Sequence, residues 1–245
     1  MRNVKLIIEY DGTMYNGWQK QPDCNTVESE IEKAIYKITK AEVKIYGSGR
    51  TDRGVHAYGQ VCNFYTNSKI PCEKMKMGFN SVLPKDIVIK YAEDMDSEFH
   101  SRYHAVGKQY RYRLYNDRVR RPLLENRAYH VYKKLDLDKM KIATKYFLGT
   151  HDFESFMSKG SSAKTTIRTI HSLDMVHKDE YVEFRIKGDG FLYNMVRIII
   201  GTLVDVGLNK KEPEDIINII EAKDRRKAGK SAPAHGLYLY EVYYE

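Results

Sequence analysis

Apolar and polar residues alternate along RNVKLIIEY (2–10), which predicts a strand over residues 1–10, closed by the polar turn DGTMYNG (11–17). In NTVESEIEKAIYKITK (25–40) the period lengthens. Ile31, Ala34, Ile35 and Ile38 fall on one helical stripe, and Asn25 with Glu28 three residues on reads as a helix start. EVKIYGSG (42–49) and GVHAYGQVCNFYT (54–66) read as two strands joined by a glycine-rich loop. A helix follows over about 72–79 and a strand over DIVIKYAEDM (86–95). The second half repeats the style. KQYRYRLYN (108–116) is strand-like, LDLDKMKIATKYFLG (135–149) helical, and residues 166–190 form two strands around a charged turn at Lys178–Glu180. FLYNMVRIIIGTLVDVG (191–207) fits a long buried helix, EPEDIINIIEAK (212–223) a shorter one, and GLYLYEVYYE (236–245) a closing strand. Strands in runs with helices laid between them predict an α+β fold with mainly antiparallel sheet. Two ferredoxin-like or RRM-like halves, 1–104 and 105–245, are the expected architecture.

Charge changes the picture more than composition does. The 245 residues are 42% hydrophobic, enough for a real core, but Lys and Arg outnumber Asp and Glu by 41 to 33. A formal charge of +8 favours a polyanionic partner, nucleic acid or acidic membrane, over ordinary solubility charge. The 20 tyrosines add to this. In KQYRYRLY, Tyr110 and Tyr112 fall on one strand face and Arg111 and Arg113 on the other. Two readings fit: an aromatic and cationic platform for RNA, or a half-buried strand with tyrosines inward.

The most apolar stretch is broken by Arg197 and Asp205 and is too short to span a bilayer. Cys24, Cys62 and Cys72 form neither a C-x-x-C pair nor a disulfide framework, and the N-terminus lacks the run of a secretory signal. The expectation is a soluble, cytoplasmic protein. Eight scattered histidines offer no metal-ligand spacing, so no metal is expected.

The joining loop, GSGRTDRGVHA (47–57), places Asp52 between Arg50 and Arg53. It lacks the third glycine of a dinucleotide fingerprint and the G-K-[ST] of a P-loop, and a central carboxylate repels phosphate. EYDGT (9–13) has Glu9 where an aspartate-nucleophile phosphatase needs its aspartate, so Asp11 and Gly12 read as turn residues. Asp52 is then either a salt-bridged turn residue or a carboxylate held ionised by cations, suited to act as nucleophile or base. Arg197, inside an apolar helix, either snorkels to the surface or faces an anion such as Asp52.

GRTDRGVHAYGQV (49–61) resembles the signature of the TruA-type tRNA pseudouridine synthases. YDGTMYNGWQKQ with TVESEIEKAI, FNSVLPKDI, FHSRYHAVGKQYRY, FLYNMVRIIIG and HGLYLYEV follow in that family's order, across essentially the whole chain. The resemblance implies the pseudouridine synthase fold, two halves around a central active-site cleft. It also implies isomerisation of uridine to pseudouridine in the anticodon stem-loop of tRNA, around positions 38–40, on an extruded base. Asp52 falls on the family's catalytic aspartate. Tyr110 falls on its active-site tyrosine, a base-stacking group and a candidate for proton removal at C5. Arg197 falls on the arginine that pairs with the carboxylate, Arg50 on the one that moves the nucleotide into the pocket, and Leu237 on an apolar lining residue. No metal or organic cofactor is implied, and the partners are tRNA and a second copy of the chain in a homodimer. One position departs: Arg53 stands where the family more often has alanine. It is a second cation that holds Asp52 ionised, binds a phosphate flanking the target, or marks a paralogue acting on a different uridine. The basic tracts RVRR (118–121) and KDRRKAGK (223–230) are candidate phosphate contacts or solvated faces. The residues alone also fit a non-catalytic RNA-binding module, or a hydrolase using Asp52 as a base.

Overall fold

The alternation along residues 2–10 becomes the pleat of a central strand. In the computed structural model, which describes residues 1–161 and 163–245, β1 (Arg2–Tyr10) buries Val4, Leu6, Ile8 and Tyr10. It lies between two antiparallel neighbours, β3 (His56–Thr66) and β4 (Ile87–Met95), with Leu6 opposite Cys62 on one side and Ala92 on the other. The short β2 (Ile45–Gly47) pairs antiparallel with the far half of β3. The C-terminal β10 (Leu237–Tyr244) pairs in parallel with the near half, Tyr238 opposite His56. Helices α1 (Val27–Thr39) and α2 (Cys72–Val82) bury Val27, Ile31, Ala34, Ile35, Met75 and Phe79. Each of the Val, Ile, Met and Phe side chains removed from water is worth about 1.5–3 kcal/mol. Residues 1–106 with 238–245 make up this first unit.

The second unit is residues 107–237. Its sheet runs β5 (Ala105–Asn116), β9 (Tyr181–Gly188), β8 (Ile167–Lys178), β7 (Gly149–Asp152), each antiparallel to the next. β6 (Tyr129–Val131) lies parallel to the end of β5. The apolar run becomes α4 (Met195–Gly207), with Ile198, Ile199, Ile200 and Leu203 wholly buried. α3 (Leu137–Thr144) packs on α4 so closely that a Cβ on Gly207 would lie 2.5 Å from Met140 Sδ. α5 (Asp215–Ala222) buries Ile216, Ile219 and Ile220. The class is α+β with mainly antiparallel sheet, as expected, the parallel exceptions being β6 and β10.

Element ends differ where local chemistry intervenes. The first helix is capped by Thr26, whose Oγ1 accepts the Ser29 N–H, and not by Asn25; Glu28 accepts the Lys20 N–H instead of closing a capping box. The 191–207 helix begins only at Met195, because Asn194 is left-handed at φ 61°. The 135–149 helix tightens into a 3-10 turn after Thr144, and the strand of 42–49 shortens to 45–47. β6 and β7, three and four residues long, carry no readable period. Among the described residues no helix is long and apolar enough to cross a membrane.

Candidate active site

The Asp52 loop is tied down from both sides by backbone. On its entering side, Ser48 N–H donates to Val61 O at 2.8 Å, and the Gln60 amide nitrogen donates to Gly49 O at 2.9 Å. On its leaving side, Val55 N–H closes a turn onto Asp52 O at 3.1 Å, with Gly54 at φ 79°. A left-handed residue here needs the freedom of glycine. Behind the loop lies the 11–18 turn. Trp18 N–H donates to Thr51 O at 3.0 Å, and the Tyr10 and Thr51 hydroxyls lie 2.7 Å apart. Gly12 N–H donates to His56 Nδ1 at 3.1 Å, and the His56 ring stacks on Tyr238 at 4.7 Å.

Two glycines make that approach possible. A Cβ on Gly12 would overlap the Val55 carbonyl oxygen, and one on Gly17, itself at φ 92°, would lie 2.5 Å from Thr51 O. The turn chemistry expected for Asp11 holds, its Oδ1 accepting from Thr13 N–H at 3.0 Å. The loop therefore presents a half-exposed Asp52 from a frame of backbone bonds. Arg50 and Arg53 are exposed, and neither forms an ion pair among the described residues. The salt-bridged-turn reading through those two arginines does not hold.

In the second unit the tyrosines of β5 point inward, Tyr110 at 9% exposure and Tyr112 at 0%. Both rings therefore lie on the covered face of the strand, with Arg111 and Arg113 on the other. Tyr110 meets the Phe191 ring edge-on at 5.1 Å. Tyr112 donates to Pro233 O at 2.9 Å, and burial raises its phenol well above the ordinary range. Gly236 sits against the Tyr112 ring, where a Cβ would come within 2.7 Å, and Leu237 follows it, buried at 6%.

Arg197 is half-buried on α4. Its Nε donates to Ala232 O and its Nη1 to Asn194 Oδ1, both at 2.7 Å. Ala232 N–H donates back to Arg197 O at 2.9 Å. The segment 229–232 reaches α4 because Gly201 leaves room for the Lys230 carbonyl and Thr202 Oγ1 accepts Gly229 N–H at 2.9 Å. Burial lowers the His235 imidazole below its ordinary value, opposed by the charge of Glu125 and aided by that of Arg197. The structure thus gathers Arg197, Tyr112, His235 and Leu237 around one segment of the second unit. The supporting residues that sequence reading missed are Gly17, Trp18, Gln60 and Ala232, and Gly12 was read for its turn alone. The paired glycines of YDGTMYNG were the available signal, legible as a turn but not as a back wall. Among the described residues no group of three or more His, Cys, Asp or Glu side chains could hold a metal.

A family model described as tRNA pseudouridine synthase matches residues 6–104 and 143–245. The chain is similar to the tRNA pseudouridine synthase A of Acetivibrio thermocellus, with 56% identity over 244 residues covering 100% of both chains. It is similar to tRNA pseudouridine synthase A 2 of Clostridium tetani at 52% over 99% of each, and to tRNA pseudouridine synthase A of a Thermoanaerobacter species at 47% over 100% of each. With full-length likeness added to the signature loop, the chain belongs to the TruA-type tRNA pseudouridine synthase family.

Proposed function

We propose that this protein converts uridine to pseudouridine in the anticodon stem-loop of tRNA, around positions 38–40, with Asp52 as the catalytic carboxylate acting on an extruded nucleotide. Family membership makes it an RNA-uridine isomerase of the tRNA-modifying kind. The finer reading rests on one observation above all: a half-exposed carboxylate on a loop whose backbone is bonded on both sides and backed by two glycines. Such a group keeps its position while a sugar is brought to it.

The reaction breaks N1–C1′, turns the base and joins C5 to C1′; the C5 proton is lost and N1 ends protonated. Substrate and product are isomers, so no electrons are exchanged with a cofactor. The Asp52 carboxylate either attacks C1′, forming a sugar ester, or removes the C2′ proton to give a glycal. We assign Tyr110 to stacking on the detached base, Leu237 to the apolar wall, and Arg197 to the cation facing the carboxylate. Arg50 moves the nucleotide, and Arg53 contacts a phosphate beside it. The protein is proposed to work in the cytoplasm, its three cysteines unpaired, as a homodimer sharing one tRNA. Incubation with unmodified tRNA, followed by mass spectrometry and carbodiimide-stop sequencing, is expected to reveal pseudouridine in the anticodon arm. No new pseudouridine in any tRNA would overturn the reading. Light scattering of the active enzyme checks the dimer.

A further inference from the structure

At the far end of β5 the chain builds a second basic surface. Asn116 lies six residues beyond Tyr110, about 20 Å along the strand. Its amide is a clamp: Nδ2 donates to Val131 O and Lys133 O, both at 2.6 Å, and Oδ1 accepts Leu135 N–H at 2.9 Å. The preceding turn is held as well. Tyr115 stacks on His130 at 4.6 Å, His130 Nε2 lies 2.8 Å from Asp117 O, and Arg121 N–H donates to the Tyr115 hydroxyl at 3.0 Å.

The groove so framed is lined by Asn116, Asp117, Arg118, Tyr132, Lys133 and Lys134. Arg118, Lys133 and Lys134 are exposed, and among the described residues their side chains have no acidic partner. The neighbouring Arg120 is exposed and equally without one. Asp117 is the only carboxylate in the lining, and it is turned to local work: Oδ1 accepts Val119 N–H and Oδ2 lies 3.6 Å from Arg121 Nη2. Tyr132, 63% exposed, offers an aromatic face between these cations. A rigid floor, unpaired cations and one open ring are what a sugar-phosphate backbone with an unstacked base requires.

We infer that the groove at the end of β5 binds RNA backbone outside the target nucleotide, with Tyr132 stacking on an unpaired base. The inference rests on the reading of the chain as a tRNA-acting enzyme, and deepens it by naming where a remote part of that RNA is held. The test measures binding of a fluorescently labelled, unmodified tRNA transcript by anisotropy across salt concentrations. The triple variant Arg118→Gln/Lys133→Gln/Lys134→Gln is expected to weaken binding about 10-fold or more, and to flatten the slope of log affinity against log salt by about 2–3. Tyr132→Ala weakens binding several-fold, and Lys133→Arg/Lys134→Arg keeps it. The thermal midpoint is unchanged, because among the described residues these side chains make no bonds in the fold. Affinity and salt slope within twofold of the native protein overturn the inference. So does a variant whose subunit assembly changes while its RNA affinity holds, which assigns the patch to contact between copies. Binding is read without catalysis, so failure of the native enzyme to form pseudouridine overturns the proposed function and leaves the groove to be decided separately.

Discussion

Two carboxylates sit among arginines in this protein, and they are held in opposite ways. Asp52 has Arg50 and Arg53 as near neighbours in the chain, yet both are exposed and unpaired among the described residues. Glu183 has only Arg185 nearby in sequence, but three guanidiniums converge on it: Arg185 at 2.9 Å, Arg113 at 3.0 Å and Arg111 at 3.5 Å. The difference is the element. Residues i and i+2 of a strand share a face, and β5 pairs with β9 so that Arg113 stands opposite Glu183 and Arg111 opposite Arg185. In a loop, neighbours in the chain share no face, and direction is set by backbone anchors. A charge cluster on a sheet is therefore a stability device, whereas the Asp52 loop is fixed by backbone bonds and its two adjacent arginines stay exposed.

The largest effect that could break this comparison is chemical. Asp52→Asn is expected to reduce pseudouridine formation about 10⁴-fold or more while tRNA affinity and the thermal midpoint stay near native. A variant that folds and still converts tRNA at close to the native rate would remove Asp52 from the chemistry. Next comes the frame of the loop. Gly12→Ala forces a methyl group into the Val55 carbonyl, which cannot swing aside, so about 2–3 kcal/mol of stability and most of the turnover should be lost. Urea midpoints and single-turnover rates measure the two parts, and native values for both would show that the back wall does not position the loop.

Glu183→Gln should cost about 1–2 kcal/mol, because three half-buried guanidiniums lose their common anion in a site still partly wetted. Burial pushes the Glu183 carboxyl up, but hydrogen bonds from Arg185 and Arg113 and the charges of Arg111 and Arg113 hold it below its ordinary value of 4.5. A carboxylate lowered in the fold stabilises above its unfolded value, and that contribution is lost as pH falls through the folded one. The gap between native protein and variant should thus stay constant from about pH 7 to 5 and close below about 4.5. Urea midpoints at several pH values test this, and a gap that widens with acid contradicts the assignment. The smallest effect is expected at Arg53→Ala, within about 0.5 kcal/mol by thermal melting. Arg113→Ala should cost more, and equal losses would mean that Arg53 is held as firmly as Arg113.

The sequence alone determined the order and kind of nearly every long element, because the 2.0 and 3.6 residue periods and turn chemistry are local properties. It also singled out Asp52, since a glycine-bounded carboxylate in a fixed motif is readable along the chain. The three-residue β6 and four-residue β7 escaped for want of a period. Tertiary structure alone decided that residues 238–245 cluster with the first unit, that Gly12 and Gly17 wall the Asp52 loop, and that Ala232 O receives Arg197. Those are contacts between residues far apart in the chain. Periodicity says which face of an element is apolar; only packing decides which distant backbone comes to lie against it.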